Sequence, residues 1–165
     1  MSINTKIAVV SDTHDNTTII DKIILIANTR ECAYLFHLGD ITSPPTVERL
    51  SGFNGMIKAV YGNCDSDILG LLRSFNTIGG EIEKPPFKIE VEGKRIALMH
   101  EPFHLNELIS TQEHDFIFYG HLHKADIRKE RKTWILNPGG AGSSIKKPSF
   151  FIVDLNTNQM EQFDL

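Results

Sequence analysis

Residues 6–29, KIAVVSDTHDNTTIIDKIILIANT, run from an apolar, β-branched stretch through a polar bend into a segment with apolar residues at helical spacing. KIAVV reads as a strand. Beyond the bend, Ile19, Ile20, Ile23, Ile24 and Ala27 fall on one face, which predicts a helix with Asn16 as its N-cap. The same grammar recurs. YLFHL (34–38), MIKAV (56–60), RIALM (95–99) and DFIFY (115–119) are short apolar runs that read as strands. Shorter helices are expected after Ser43 (PPTVERL), Ser66 (DILGLLRSF) and His104 (LNELIST), the first two opened by a serine N-cap. Strands alternating with helices imply βαβ units and a largely parallel sheet.

The second half reads differently. FKIEVEGKRIALM looks like a hairpin around Glu92 and Gly93, ADIRKERKTWILN like one around Glu130, and FFIVDLNTNQMEQFDL like one around Asn156 to Asn158. Antiparallel strands should therefore dominate toward the C-terminus. Helices early and hairpins late fit two packed sheets with helices outside better than a simple doubly wound sheet.

A chain of 165 residues suits one globular domain, taken here as residues 1–165, and no linker or composition break divides it. Apolar residues at 41% and charged residues at 23% are near soluble-domain averages, so folding throughout is expected. The net charge of -4 argues against a specific nucleic-acid binder, which usually carries a basic face. Cys32 and Cys64 make no disulfide framework, MSINTKIAVV has no signal-peptide pattern, and no apolar stretch is long enough for a membrane span. The expected location is the cytoplasm, with no membrane contact.

The chemistry lies immediately after the five apolar runs. They are succeeded by SDTHD (Asp12, His14), GD (Asp40), GNCD (Asn63), HE (His100) and GHLH (His121, His123). Singly these are ordinary, since a DxH or GD after a strand is commonly a turn or a cap. Together they form a pattern: the carboxyl ends of parallel strands line the ligand crevice of open α/β sheets, so seven polar side chains would converge at one edge. Two carboxylates, four imidazoles and one amide suit manganese, iron, zinc, cobalt or nickel, while calcium prefers all-oxygen shells. Seven side chains exceed one tetrahedral centre, but one bridging carboxylate would make eight contacts, four for each of two metals. Two such ions can share a hydroxide and clamp the oxygens of an in-line phosphoryl displacement, which points to phosphoester hydrolysis.

The motifs SDTHDN, LGD, YGNCD, His100 after IALM, YGHLHKAD and LNPGGAG, spread over residues 6–143, resemble those of the calcineurin-like metallophosphoesterases. They are most similar to the small YfcE and MJ0936-type phosphodiesterase branch, to which the retromer subunit Vps29 is related. The resemblance implies a four-layer α/β/β/α sandwich of two mixed β-sheets flanked by helices. It also implies that Asp12, His14 and His123 hold a first metal, that Asn63, His100 and His121 hold a second, and that Asp40 bridges them. These seven residues are the expected catalytic and metal-binding set, with two divalent ions, manganese first and nickel, zinc, iron(II) or cobalt as alternatives. The implied reaction is attack of a metal-bridging hydroxide on a small phosphoester, a diester by branch resemblance. The alternatives are a phosphomonoesterase and a Vps29-like metal-binding scaffold without catalysis. An intact ligand set favours the enzyme, and a small symmetric oligomer such as a dimer is the base-rate expectation.

Other residues have plainer readings. His37 lies in an apolar strand and is expected to be a core histidine with a hydrogen-bonded ring. His114 precedes a strand and is expected in an exposed loop. HKADIRKERK reads as a solvated hairpin, although Lys124 could attract an anion. LNPGGAG is read as a loop supporting the site. At MHEPFH the chain departs from the family pattern: relatives usually place glycine after the ligand histidine, often followed by another histidine, where this chain has Glu101 and Pro102. Cys64 stands where larger family members have a histidine that helps protonate the leaving group. It is expected to be neither nucleophile nor ligand, and Asp65 is expected to orient the loop rather than bind metal.

Overall fold

The computed structural model describes residues 5–165. β1 (Lys6–Val10), β2 (Tyr34–His37) and β3 (Met56–Val60) alternate with α1 (Thr17–Thr29), α2 (Pro44–Leu50) and α3 (Ile68–Thr77), as expected. A short β4 (Glu81–Glu83), which the sequence reading missed, extends this set in parallel beside β3. Next come β5 (Phe87–Val91), β6 (Lys94–Leu98), a 3₁₀ turn at Pro102–His104, α4 (Leu105–Thr111) and β7 (Phe116–Phe118). The chain closes with β8 (Ala125–Glu130), β9 (Thr133–Pro138), β10 (Ser149–Asp154) and β11 (Met160–Asp164).

Both sheets are mixed. The first has the order β11-β10-β1-β2-β3-β4, with β1 to β4 parallel and β10 and β11 antiparallel additions. The second has the order β5-β6-β7-β9-β8, in which β6, β7 and β9 run parallel. The three expected hairpins are present, and Glu92 (φ 50°) and Gly93 (φ 73°) supply the left-handed pair that suits a two-residue turn. The β8–β9 turn lies at Arg131 and Lys132, one position beyond Glu130.

Three cores separate four layers. Along β1, Ala8 and Val10 pack with Ile20, Ile23, Val47, Leu71 and Phe75 of the first three helices. The alternate residues Ile7 and Val9 join Phe36, Phe116, Phe118 and Phe151 between the two sheets. On the far side, Ala97, Ile117 and Ile135 of the second sheet meet Leu105 and Leu108 of α4. Strands covered on both faces have no polar face, which is why they read as continuous apolar runs. The architecture is the four-layer α/β/β/α sandwich.

Helix starts were legible in part. Asn16 caps α1 by accepting from the Ile19 N–H at 3.3 Å. Ser43 precedes α2 but does not cap it; its hydroxyl donates to Asp15 Oδ1 at 2.7 Å. At α3 the cap is Asp67 rather than Ser66, its carboxylate accepting from the Gly70 N–H at 2.9 Å. A carboxylate also gains from the positive end of the helix dipole, which a serine hydroxyl does not.

Candidate metal centre

The loops that leave β1, β2 and β7 turn sharply. Asp12 (φ 55°), His14 (φ 43°), Asp40 (φ 57°), His121 (φ 68°) and His123 (φ 53°) are all in the left-handed region. For residues other than glycine this costs about 1 kcal/mol or more each, so neighbouring structure must hold them there. The loops hold one another: the Asp12 N–H donates to Gly39 O and the His14 N–H to Asp40 O, both at 3.0 Å. The His121 N–H donates to Asp12 Oδ2 at 3.0 Å and the Cys64 N–H to Asp40 Oδ1 at 2.8 Å. There is no room for side chains between them. A Cβ on Gly62 would lie 2.2 Å from Asp40 Oδ1, and one on Gly120 would lie 2.0 Å from Ser11 Oγ.

All seven expected residues are brought together. On one side, His123 Nε2 is 3.0 Å and His14 Nε2 3.9 Å from Asp12 Oδ1. On the other, Asn63 Oδ1 is 2.9 Å from His100 Nε2 and 3.1 Å from His121 Nδ1. Asp40 lies between, with Oδ2 3.5 Å from His14 Nε2 and Oδ1 3.5 Å from His100 Nε2.

The donor set fits a cation. Asp12 is 0% and Asp40 2% exposed, and among the described residues their ion pairs are with histidines, not with lysine or arginine. Buried carboxylates need compensation, by paired charge or metal. His100 sharpens the point. Its Nδ1 sits 2.7 Å from Leu38 O, a carbonyl that can only accept, so Nδ1 carries the proton. In a neutral ring Nε2 is then a bare lone pair, aimed at Asn63 Oδ1 and at Asp12 and Asp40 oxygens 3.9 and 3.5 Å away. Lone pairs facing lone pairs make a place for a positive charge. The donor atoms of Asp12, His14 and His123 lie within 4.8 Å of one another, as do those of Asp12, Asp40 and His100.

Supporting residues surround this set. Asp65 is buried, its Oδ2 accepting from the Asp40 N–H (2.9 Å) and the Gly62 N–H (2.7 Å) and its Oδ1 from the Thr42 N–H (2.7 Å). It therefore orients the loop, as expected; burial pushes its pKa up, opposed by the amides of Gly62 and Thr42. His37 is a core histidine: Nδ1 accepts from the Gly39 N–H, so Nε2–H donates to Thr13 Oγ1 at 3.0 Å. Burial pushes its pKa down to about 3. LNPGGAG does support the site, because Ala141 N–H donates to Ser11 O (3.1 Å) and Asn137 Nδ2 to Gly120 O (2.9 Å). Asp15 was not singled out from the sequence, yet its Oδ1 accepts from both Ser43 and Thr46 hydroxyls and ties the β1 loop to α2.

Three neighbours of the set need separate comment. The Cys64 sulfur is within 4.8 Å of His14 and Asp40 donor atoms, but burial and then the Asp40 charge push the thiol pKa up, away from a thiolate. Glu101 has φ -83° and ψ 141°, an extended backbone that needs no glycine, so His100 keeps its place despite the departure from the family pattern. His104 Nδ1 is 3.4 Å from Glu107 Oε2 and belongs to none of the candidate ligand groups. The exposed-loop expectation for His114 is wrong: it is 4% exposed. Its carbonyl accepts from Thr133 Oγ1 at 2.7 Å, because backbone bonds from Asp115 to Arg95 and from Trp134 to Asp115 already draw the segment into the sheet. Within the basic hairpin Arg128 pairs with both of its acids, Asp126 and Glu130.

Residues 5–158 match the family model of the calcineurin-like phosphoesterase superfamily domain. The chain belongs to that superfamily. A relative, phosphodiesterase MJ0936 of Methanocaldococcus jannaschii, is 28% identical over 137 residues, covering 81% of this chain and 82% of that protein. The solved structure of a novel archaeal phosphodiesterase superposes with a TM-score of 0.93 at 26% identity, covering 98% of this chain and all of the other. Vps29 from Entamoeba histolytica, solved with zinc, has a TM-score of 0.68 at 18% identity, covering 97% of this chain and 99% of that one, a likeness of fold alone.

Proposed function

We propose that this calcineurin-like phosphoesterase is a divalent-metal-dependent phosphodiesterase with a two-ion site. Asp12, His14 and His123 would hold one ion, Asn63, His100 and His121 the other, and Asp40 would share its two oxygens between them. One observation carries the reading: Asp40 sits buried between the two histidine groups with each oxygen turned toward a different one. When bound, such ions supply Lewis acidity, making water a nucleophile near neutral pH and offsetting charge on phosphoryl oxygens. Manganese is taken first by resemblance to the family; the imidazole and oxygen donors themselves suit manganese, iron, zinc, cobalt or nickel.

The protein's own groups do the positioning. The Leu38 carbonyl fixes the His100 tautomer so that Nε2 faces the site. Asn63 contributes an oxygen without adding a negative charge that would repel phosphate. Asp65 holds the Asp40 backbone. A diester is preferred because the similar archaeal proteins are named phosphodiesterases. The complete ligand set favours catalysis over a Vps29-like scaffold.

The test compares metal-stripped protein with manganese- or nickel-loaded protein on bis(4-nitrophenyl) phosphate and 4-nitrophenyl phosphate. Metal-dependent turnover with the diester ahead is expected. A faster monoester would make the chain a phosphomonoesterase, and no turnover of either would favour the scaffold.

A further inference from the structure

A cleft of about 260 Å³ opens beside the proposed centre, with Asn63 and His100 in its wall. We propose that it is a subsite for an uncharged aromatic substituent of the phosphodiester, with Phe103 as the stacking surface. The inference rests on the hydrolase reading and names the substrate class for that same site.

Three observations support it. The cleft is continuous with the site, because two of the proposed ligand residues line both. A group attached to a phosphate held there therefore reaches the cleft without a long tether. Tyr61, Pro85 and Phe103 give it apolar faces, with Glu101 and His104 as the polar side chains beside the proposed ligands, and Phe103 is 78% exposed. A phenylalanine left so open beside a polar centre is a surface waiting for a partner ring, and the Tyr61 hydroxyl, donating to Ile68 O at 3.2 Å, pins the second aromatic ring of the cleft. The volume lies just under the about 300–1,000 Å³ of drug-sized sites, which suits one substituent rather than a whole cofactor.

Glu101 gives the cleft its charge preference. It lines the same wall, directly after His100 in the chain. A carboxylate there repels additional negative charge, so a monoanionic diester is favoured over a dianionic monoester, and an unphosphorylated ring over a phosphorylated one. The family-pattern departure at Glu101 thus becomes a specificity element.

The experiment measures binding and turnover separately. Calorimetry compares diphenyl phosphate with dimethyl phosphate, both monoanions, on manganese-loaded wild type, Phe103→Ala and Phe103→Trp. Diphenyl phosphate should bind about tenfold tighter to wild type, the scale of one ring stack. Phe103→Ala should remove most of that preference while leaving dimethyl phosphate unchanged, and Phe103→Trp should keep it. In Glu101→Gln, phenyl phosphate should gain severalfold on diphenyl phosphate. Equal binding of the two diesters, or an aryl preference that survives Phe103→Ala, would overturn the subsite. Turnover of bis(4-nitrophenyl) and methyl 4-nitrophenyl phosphates, which share a leaving group, should show the same ratio. An aryl preference in binding without any turnover would sink the hydrolase reading and leave the subsite standing.

Discussion

The two sides of the proposed centre are built differently. Around Asp12, His14 and His123 the backbone is locked: left-handed residues are held by hydrogen bonds from Asp12 to Gly39, from His14 to Asp40 and from His121 to Asp12, with glycines where no side chain fits. Around Asn63, His100 and His121 the site borders the Phe103 cleft; Asn63 and Cys64 are exposed, as is His123 on the first side, while His100 is buried. Cys64, where larger family members have a histidine, and Glu101, where the sequence leaves the family pattern, directly follow Asn63 and His100. In the proposed two-ion site the backbone-locked side would retain an ion and the cleft side would select and turn over the ester.

Asp40 joins the two sides, so its loss should have the largest effect. Asp40→Asn is expected to lower diester turnover about a thousandfold, in line with losing a centrally placed charge at a metal site. Metal analysis should show fewer than two ions per chain; normal stoichiometry and turnover would break the comparison at its centre. Next comes Asp65→Asn, which weakens the carboxylate that holds the Asp40 and Gly62 amides and leaves all seven proposed ligand side chains in place. A loss of about 10–100-fold in metal affinity is expected, as for other residues that orient ligands. Titration with manganese checks it.

The backbone-locked side also rests on His37, which bridges Thr13 and Gly39 as a neutral ring. Its folded pKa of about 3 lies below the ordinary 6.5, so the unfolded chain takes up the proton first as pH falls. This contribution to stability is complete above pH 6.5 and is lost toward pH 3, at about 1.4 kcal/mol per pH unit. Urea unfolding of wild type and His37→Gln between pH 7 and 5 should show the steeper acid loss in wild type; parallel curves would contradict it. The smallest effect belongs to the side that borders the cleft. Cys64→His should speed hydrolysis of esters with poor leaving groups about tenfold, below the roughly 10²–10⁴ of an evolved general acid. An unchanged leaving-group profile would mean that no acid is missing there.

Much of this was legible in the sequence because the strands between two packed layers must be apolar throughout, and the polar residues after them mark the edge where they end. All seven expected site residues converge for that reason. β4 escaped because Glu81–Glu83 carries one apolar residue and draws its stability from pairing with β3. His114 escaped because its burial comes from the long-range pairing of Asp115 with Arg95 and Trp134. Asp15 looked like one more polar loop residue until the fold set it against Ser43 and Thr46. The Phe103 cleft, too, depends on Tyr61 and Pro85 meeting a turn some forty and twenty residues further on.

Anomalous diffraction from manganese-soaked crystals tests the two-ion claim most directly. Two peaks should appear, one against Asp12, His14 and His123 and one against Asn63, His100 and His121, with Asp40 touching both. A single peak that leaves Asp40 on one side, or no peak against these seven residues, would contradict it.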